Sequence, residues 1–428
     1  KRYMNPVLKT ELSSELFNLE NYIINHSCDI EHWFRTQWLE HSAPFYASVD
    51  LRNSGFKLTP VDTNLFPGGF NNLNPDFAPL TIQAISVAIE KICPDAWRVL
   101  IIPENHTRNK FYLKNIFELT EILKNSGLEV RIGSADENIN EIQIIEIDDN
   151  HSIKIEPIHR ESDRLFLKND DSTNFRPCAI ILNNDLSSGV PDKLKNLDQN
   201  IIPPLSAGWP TRRKSTHFNY YNEVVEEFSK FTKIDPWLIN PYFKKLDGLN
   251  FLEREGEKQL AEHIDKLLLK IKEKYSQYNI DHEPYVVVKA DAGTYGMGIM
   301  TIKNSEEVIN LNRKMRKKMS VVKEGLKVTE VIIQEGVHTE ETVNGAVAEP
   351  VVYMIDHFVV GGFYRVHTNK EKDENLNSPG MHFVPVAFET SCLMPDQGRP
   401  CDDKANRFYA YGVIARLALL AAAKELQS

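Results

Sequence analysis

Apolar residues recur at three- and four-residue spacings over residues 9–40, at Leu12, Leu16, Leu19, Tyr22 and Ile23, and this period predicts helix. The aromatic group Trp33, Phe34 and Trp38 is expected in the core. Between Pro44 and Pro79 the pattern breaks into SVDLRNSGFKLTPVDTNLFPGGFNNLNPD, dense in Asn, Gly and Pro. A stretch of that kind reads as a long loop, either solvated or lining a cavity. A helix is predicted over 81–92. From Trp97 onward, strand (RVLIIPE), helix (109–125), strand (LEVRIGS), strands near EIQIIEI and IKIEPI, and the apolar strand AIILNND alternate. This order predicts an α/β layer with a largely parallel sheet. Amphipathic helices follow over 219–233 and 254–276, then a hairpin (285–302) and a helix with a basic face (306–318). Next come a strand (328–337), a β-pair (348–367), a strand (382–388) and an Ala/Leu-rich helix (402–426). Three regions are expected: a helical and loop-bearing 1–95, an α/β domain over 96–218 and a nucleotide-binding domain over 219–428.

The hairpin YVVVKADAGTYGMGIMTI, Tyr285 to Ile302, carries the strongest chemical signal. Two short strands flank a loop that contains Gly293, Thr294, Tyr295, Gly296 and Gly298. Glycine lets a backbone approach a ligand closely and turn its N–H groups towards phosphate oxygens. Lys289, at the root of the loop, adds a compact positive charge. The spacing excludes a Walker A loop, because no Lys-Ser or Lys-Thr follows the glycines. It also excludes a G-x-G-x-x-G dinucleotide turn and a protein-kinase loop. A flap over a nucleoside triphosphate is the expectation.

Composition narrows the partners. A net charge of -10 over 428 residues argues against nucleic acid, which needs a basic face. No apolar run reaches membrane-spanning length. The five cysteines, Cys28, Cys93, Cys178, Cys392 and Cys401, are scattered without metal-site spacing, so free thiols in the cytoplasm are expected. Homo-oligomerisation is left open.

Local basic clusters still allow small anions. Arg52 and Lys57 are placed to hold a carboxylate, with Asn64, Asn71 and Asn72 as amide donors. Glu104, His106 and Arg108 directly follow a strand of the α/β layer, where ligands of such sheets bind. Arg212, Arg213 and Lys214 form either an anion site or a solvated turn. In the second half, Gln334, Glu335 and Val337 end a strand next to the hairpin and are candidates to meet an adenine and ribose. Arg365 on the β-pair would neutralise a phosphoryl group in transfer. Glu374, Asn375 and Asn377 offer oxygens suited to Mg2+, with Glu349 and Asp356 as further candidates.

The order of these parts resembles the ATP-grasp superfamily of carboxylate–amine ligases. VVVKADAGTYGMGI is similar to its lysine and flap, VIIQEGV to its adenine hinge, and VVGGFYRVH to the strand bearing its phosphate-binding arginine. ENLNSPGM is close to the E-x-N-T-x-P-G loop of D-alanine–D-alanine ligases, although one residue short between Asn377 and Pro379. The first half, with the Asn/Pro-rich segment, IPENHTRN and GWPTRRKSTHF, resembles the compact proteobacterial type of glutamate–cysteine ligase. That resemblance spans essentially the whole chain. It implies an ATP-grasp-like fold preceded by a Rossmann-like α/β domain, in class α/β (α+β), with ATP and Mg2+ as cofactors. It further implies joining of the γ-carboxylate of L-glutamate to the amine of L-cysteine, the first step of glutathione biosynthesis. Under this reading Arg52, Lys57 and the 212–214 cluster would anchor substrate carboxylates, and Asp62 or Glu104 an α-ammonium. Another ATP-grasp ligase, of the glutathione synthetase or peptide-tailoring type, and a non-catalytic nucleotide-binding regulator are the alternatives.

Overall fold

A computed structural model describes residues 9–10, 14–105, 109–293, 298–321, 325, 327–385 and 407–428. Its described residues form a mixed α/β fold around three larger sheets and one small one.

The six-stranded sheet runs Asn200–Ile202, Ala179–Asn183, Arg98–Pro103, Glu129–Ser134, Ser152–Pro157 and Gln143–Glu146. The first five are parallel and the last is antiparallel. Two central strands are apolar over Val99–Ile102 and Ala179–Leu182 because both faces are covered. Val99, Ile101, Ala179 and Ile181 face one core, which includes the helices Ala78–Ile92 and Lys110–Asn125. Leu100, Ile102, Ile180 and Leu182 face another. Helix Lys110–Asn125 begins where the Asn109 side chain accepts from the Tyr112 N–H, and it buries Leu113, Ile116, Leu119 and Leu123 at helical spacing.

Residues 44–79 depart from the loop expectation. They contain two strands, Tyr46–Asn53 and Leu58–Asn64, that join a seven-stranded antiparallel sheet with Ala346–Ile355 and Phe358–His367. Polar and apolar residues alternate there, yet most are buried. One face lies on core and the other on a cavity, so the polar positions do not mark solvent. This sheet takes strands from both the first and the third of the expected regions.

The Gly-rich hairpin belongs to a four-stranded antiparallel sheet, ordered Phe243–Asp247, Glu330–Glu335, Val286–Ala290 and Ile299–Ile302. Helix Glu257–Gln277 backs it through Leu260, Ile264, Leu268 and Ile271. The terminal helix Arg407–Gln427 is buried on every face over Ala410–Ala423 and apolar there except for Arg416, which pairs with Glu31. It packs along helix Lys214–Thr232 and strand Leu58–Asn64.

Candidate active site

Two cavities share a wall. The narrower, with about 810 Å3 of space, lies between the four-stranded and seven-stranded sheets. The wider, about 2300 Å3, opens at the carboxyl ends of parallel strands Arg98–Pro103 and Ala179–Asn183. Asp50, Asp62, Arg365 and Asn377 line both.

Lys289, on strand Val286–Ala290, reaches into the narrower cavity. Its Nζ donates to the Val61 carbonyl and to Gln334 Oε1, each at 2.8 Å. Burial pulls its ammonium down to about 8, against the support of Asp62. Gly293, Gln334, Glu335, Val337, Glu374, Asn375 and Asn377 line the same cavity. Gln334 Nε2 is buried with no partner among the described residues, a donor left for something else. Gly298 lies outside both cavities and closes the hairpin, its carbonyl accepting from the Ala290 N–H at 2.9 Å. Thr294, Tyr295 and Gly296 lie outside the described residues, as do His106 and Arg108.

Arg365 stands at the shared wall. Its Nη1 donates to Asp50 Oδ2 at 2.8 Å and to Glu349 Oε1 at 2.6 Å, while its buried Nε has no partner among the described residues. Burial disfavours the guanidinium, but Asp50 and Glu349 outweigh it and hold the charge firmly. Glu349 has both oxygens occupied, since Oε2 accepts from Arg52 Nε at 2.9 Å. Burial alone would raise its carboxyl, and the two arginines hold it below the usual range.

The remaining candidate cations divide. Arg52 lines the narrower cavity, but Glu349, Tyr285 Oη and the Val337 carbonyl take up its donors. Lys214 lines it as well and pairs with Asp62 at 3.1 Å; with Lys289 it outweighs burial and brings the Asp62 carboxyl to about 2. Three others line neither cavity. Lys57 is buried against Glu335, Arg212 is buried against Glu425, and Arg213 pairs with Glu330 near the surface. Asp356 pairs with Lys91, also outside both cavities.

Asn64 and Glu104 line the wider cavity. So do groups to which no role attached from sequence: Asn183, Asp185, Trp209 and Tyr353. Position at strand ends was the available signal for Asn183 and Asp185; the aromatic pair gave none. The segment 66–72 forms one side. A Cβ at Gly69 would stand 2.6 Å from Tyr353 Oη, so glycine is required for this close approach. Asn115 ties the segment down, accepting from the Phe70 N–H and donating to Asn183 Oδ1.

The carboxylates that line the narrower cavity are each paired with a Lys or Arg. Among the described residues, no group of three or more His, Cys, Asp or Glu is placed to hold a metal ion. Glu374, Asn375 and Asn377 bring oxygens to the narrower cavity, though the Glu374 carboxylate is engaged by Lys370 and the Glu371 N–H. Such a set suits Mg2+ delivered with phosphate oxygens and water, and not a full protein cage.

The family model of glutamate-cysteine ligase (GshA) matches residues 20–426. A crystal structure from Methylobacillus flagellatus KT, of a protein provisionally named a gamma-glutamylcysteine synthetase, is 63% identical. It covers 99% of each chain with a TM-score of 0.90. D-alanyl-alanine synthetase A from Vibrio cholerae is 11% identical over 75% of this chain and 81% of its own, with a TM-score of 0.33. No curated protein matches. The chain therefore belongs to the glutamate–cysteine ligase family, ATP-dependent enzymes that join glutamate to cysteine in the first step of glutathione synthesis.

Proposed function

We propose that the narrower cavity takes ATP and the wider one takes the two amino acids, and that the γ-carboxylate of glutamate is phosphorylated where the cavities meet. The single observation that carries this is Arg365, a half-buried cation lining both cavities whose Nε has no partner among the described residues. A carboxylate will not form an amide at neutral pH without a leaving group, and a phosphoryl donor on one side of Arg365 with an acid on the other supplies one.

In this reading Lys289 and the backbone of the Gly-rich loop hold the phosphates, and Gln334 through Val337 meet the adenosine. A nucleotide cavity between two antiparallel sheets supports the ATP-grasp-like assignment. Arg365 balances charge on the transferring phosphoryl group and on the glutamyl phosphate. Asn377, with Asn375 and Glu374 beside it, would hold Mg2+, which when bound supplies further neutralisation of phosphate charge. Asn64, Asn71, Glu104 and Asp185 bind and orient the amino acids. Lys57 and Arg212 act as internal partners of carboxylates, Arg213 as a partner of Glu330 near the surface, and none of the three as a substrate anchor. Exclusion of water matters, because an open acyl phosphate hydrolyses. The free thiols Cys28, Cys93 and Cys178 support a reducing, cytoplasmic setting. Among the described residues, no helix is long and apolar enough to cross a membrane.

The test uses glutamate with isotopically labelled oxygen in the γ-carboxylate. One labelled oxygen per turnover is expected in the released phosphate, and unlabelled phosphate would overturn the acyl-phosphate route.

A further inference from the structure

The amine substrate arrives as an ammonium and must lose a proton before its nitrogen can attack an acyl carbon. Four carboxylates line the wider cavity, Asp50, Asp62, Glu104 and Asp185. They are not equivalent. Asp62 is tied to Lys214 and faces Lys289, so its carboxylate is a poor proton acceptor. Glu104 and Asp185 follow the parallel strands and do not reach the narrower cavity. Asp50 lines both cavities and touches Arg365, the group nearest to where the activated acid forms.

The surroundings of Asp50 suit proton transfer. Only Oδ2 is engaged, by Arg365; Oδ1 takes no hydrogen bond from a described residue, and the side chain keeps 19% of its surface open. Burial raises its carboxyl above the usual range, Arg365 pulls it back, and Glu349 and Asp62 on neighbouring strands push it up again. Lys289 from the hairpin sheet and Tyr353 from strand Ala346–Ile355 complete the titratable groups facing it. A carboxylate so placed keeps more proton affinity than Asp62.

We propose that Asp50 is the general base that takes a proton from the α-ammonium of the amine substrate. Asp50 Oδ1 accepts one proton, and the freed electron pair forms the C–N bond at the glutamyl carbon. The C–O bond to phosphate breaks, the second N–H proton leaves with the phosphate, and Asp50 returns its proton to water. This rests on the reading that glutamyl phosphate forms beside Arg365.

Hydroxylamine separates the two ideas, because it is neutral near pH 7 and attacks an acyl phosphate without a base. The full chain is assayed with ATP and glutamate, and with either cysteine or hydroxylamine. In Asp50→Asn, dipeptide formation is expected to fall by about 100-fold or more, and hydroxamate formation far less. The dipeptide deficit should shrink as pH rises towards the titration of the free ammonium, and Asp50→Glu should recover part of the rate. Equal losses with both nucleophiles would overturn the base assignment and leave Asp50 as a positioner of Arg365. Dipeptide formation by Asp50→Asn near the parent rate would overturn it too. Failure of the parent protein to form hydroxamate would overturn the acyl-phosphate reading, and the base assignment with it.

Discussion

Lys57 Nζ lies 2.9 Å from Glu335 Oε2, and each side chain is only 1% exposed. The other Glu335 oxygen accepts from Trp237 Nε1 at 3.0 Å, and the Lys57 ammonium rests over the Trp237 ring. This pair pins strand Leu58–Asn64 to strand Glu330–Glu335, a wall of the narrower cavity. Removing one partner strands a buried charge, at a cost of about 3–5 kcal/mol. Lys57→Met is therefore expected to lose stability on that scale while KM for glutamate stays nearly unchanged. Lys57→Met with Glu335→Leu should recover much of the loss. Chemical denaturation beside initial rates decides the matter: a raised KM for glutamate at unchanged stability would put Lys57 back among the substrate ligands.

Lys289 gives a pH dependence of nucleotide binding. Its folded ammonium titrates near 8, below the ordinary 10.5, because burial penalises the charge. The charged form attracts phosphates, and it is the form lost as pH rises through about 8. KM for ATP should accordingly climb above that pH. Lys289→Arg keeps its charge throughout and should flatten the climb. A parent profile that stays level to pH 9.5 would contradict this placement of Lys289.

Arg365→Lys tests the shared wall with the charge retained. One ammonium cannot reproduce a guanidinium that serves two carboxylates through Nη1 and keeps Nε for a third group. By analogy with the loss of a preorganised donor, kcat should fall by about 100- to 1,000-fold. The thermal transition should move little, since Asp50 and Glu349 still face a cation. Turnover near that of the parent would remove Arg365 from the chemical step.

The contrast between what the sequence reveals and what it hides has a physical pattern here. Lys289 and Gly293 fall on one cavity because a Gly-rich hairpin is local, and its ends stay together whatever the rest of the chain does. The meeting of Asp50 with Arg365 spans 315 residues and depends on strand Tyr46–Asn53 joining a sheet built mostly from the other end of the chain. Its alternating pattern lost the usual meaning once both faces were covered. Cations misled for a related reason. Arg212 and Lys214 look alike in TRRKS, yet Arg212 finds Glu425 on the terminal helix and Lys214 turns to Asp62 in the cavity. Composition carries charge but not the distant partner that uses it.

Glu425 sets an acid limit on stability. Its oxygens accept from Arg212 Nε at 3.0 Å and Nη2 at 3.2 Å, and Oε2 lies 3.1 Å from His217 Nδ1. Burial alone would raise its carboxyl, but Arg212 and His217 bring it from 4.5 to about 2. Because the folded value is depressed, the unfolded chain binds the proton first. The contribution is complete above about pH 4.5 and disappears as pH falls through 2. The shift corresponds to about 3 kcal/mol. That bond fastens the terminal helix to the start of helix Lys214–Thr232, whose first residue, Lys214, faces the narrower cavity. Glu425→Gln should be less stable than the parent at pH 6, and the gap should narrow steadily as pH drops from 4.5 towards 3. Urea denaturation across that range measures both slopes. A constant gap would mean that the ion pair is not what acid removes.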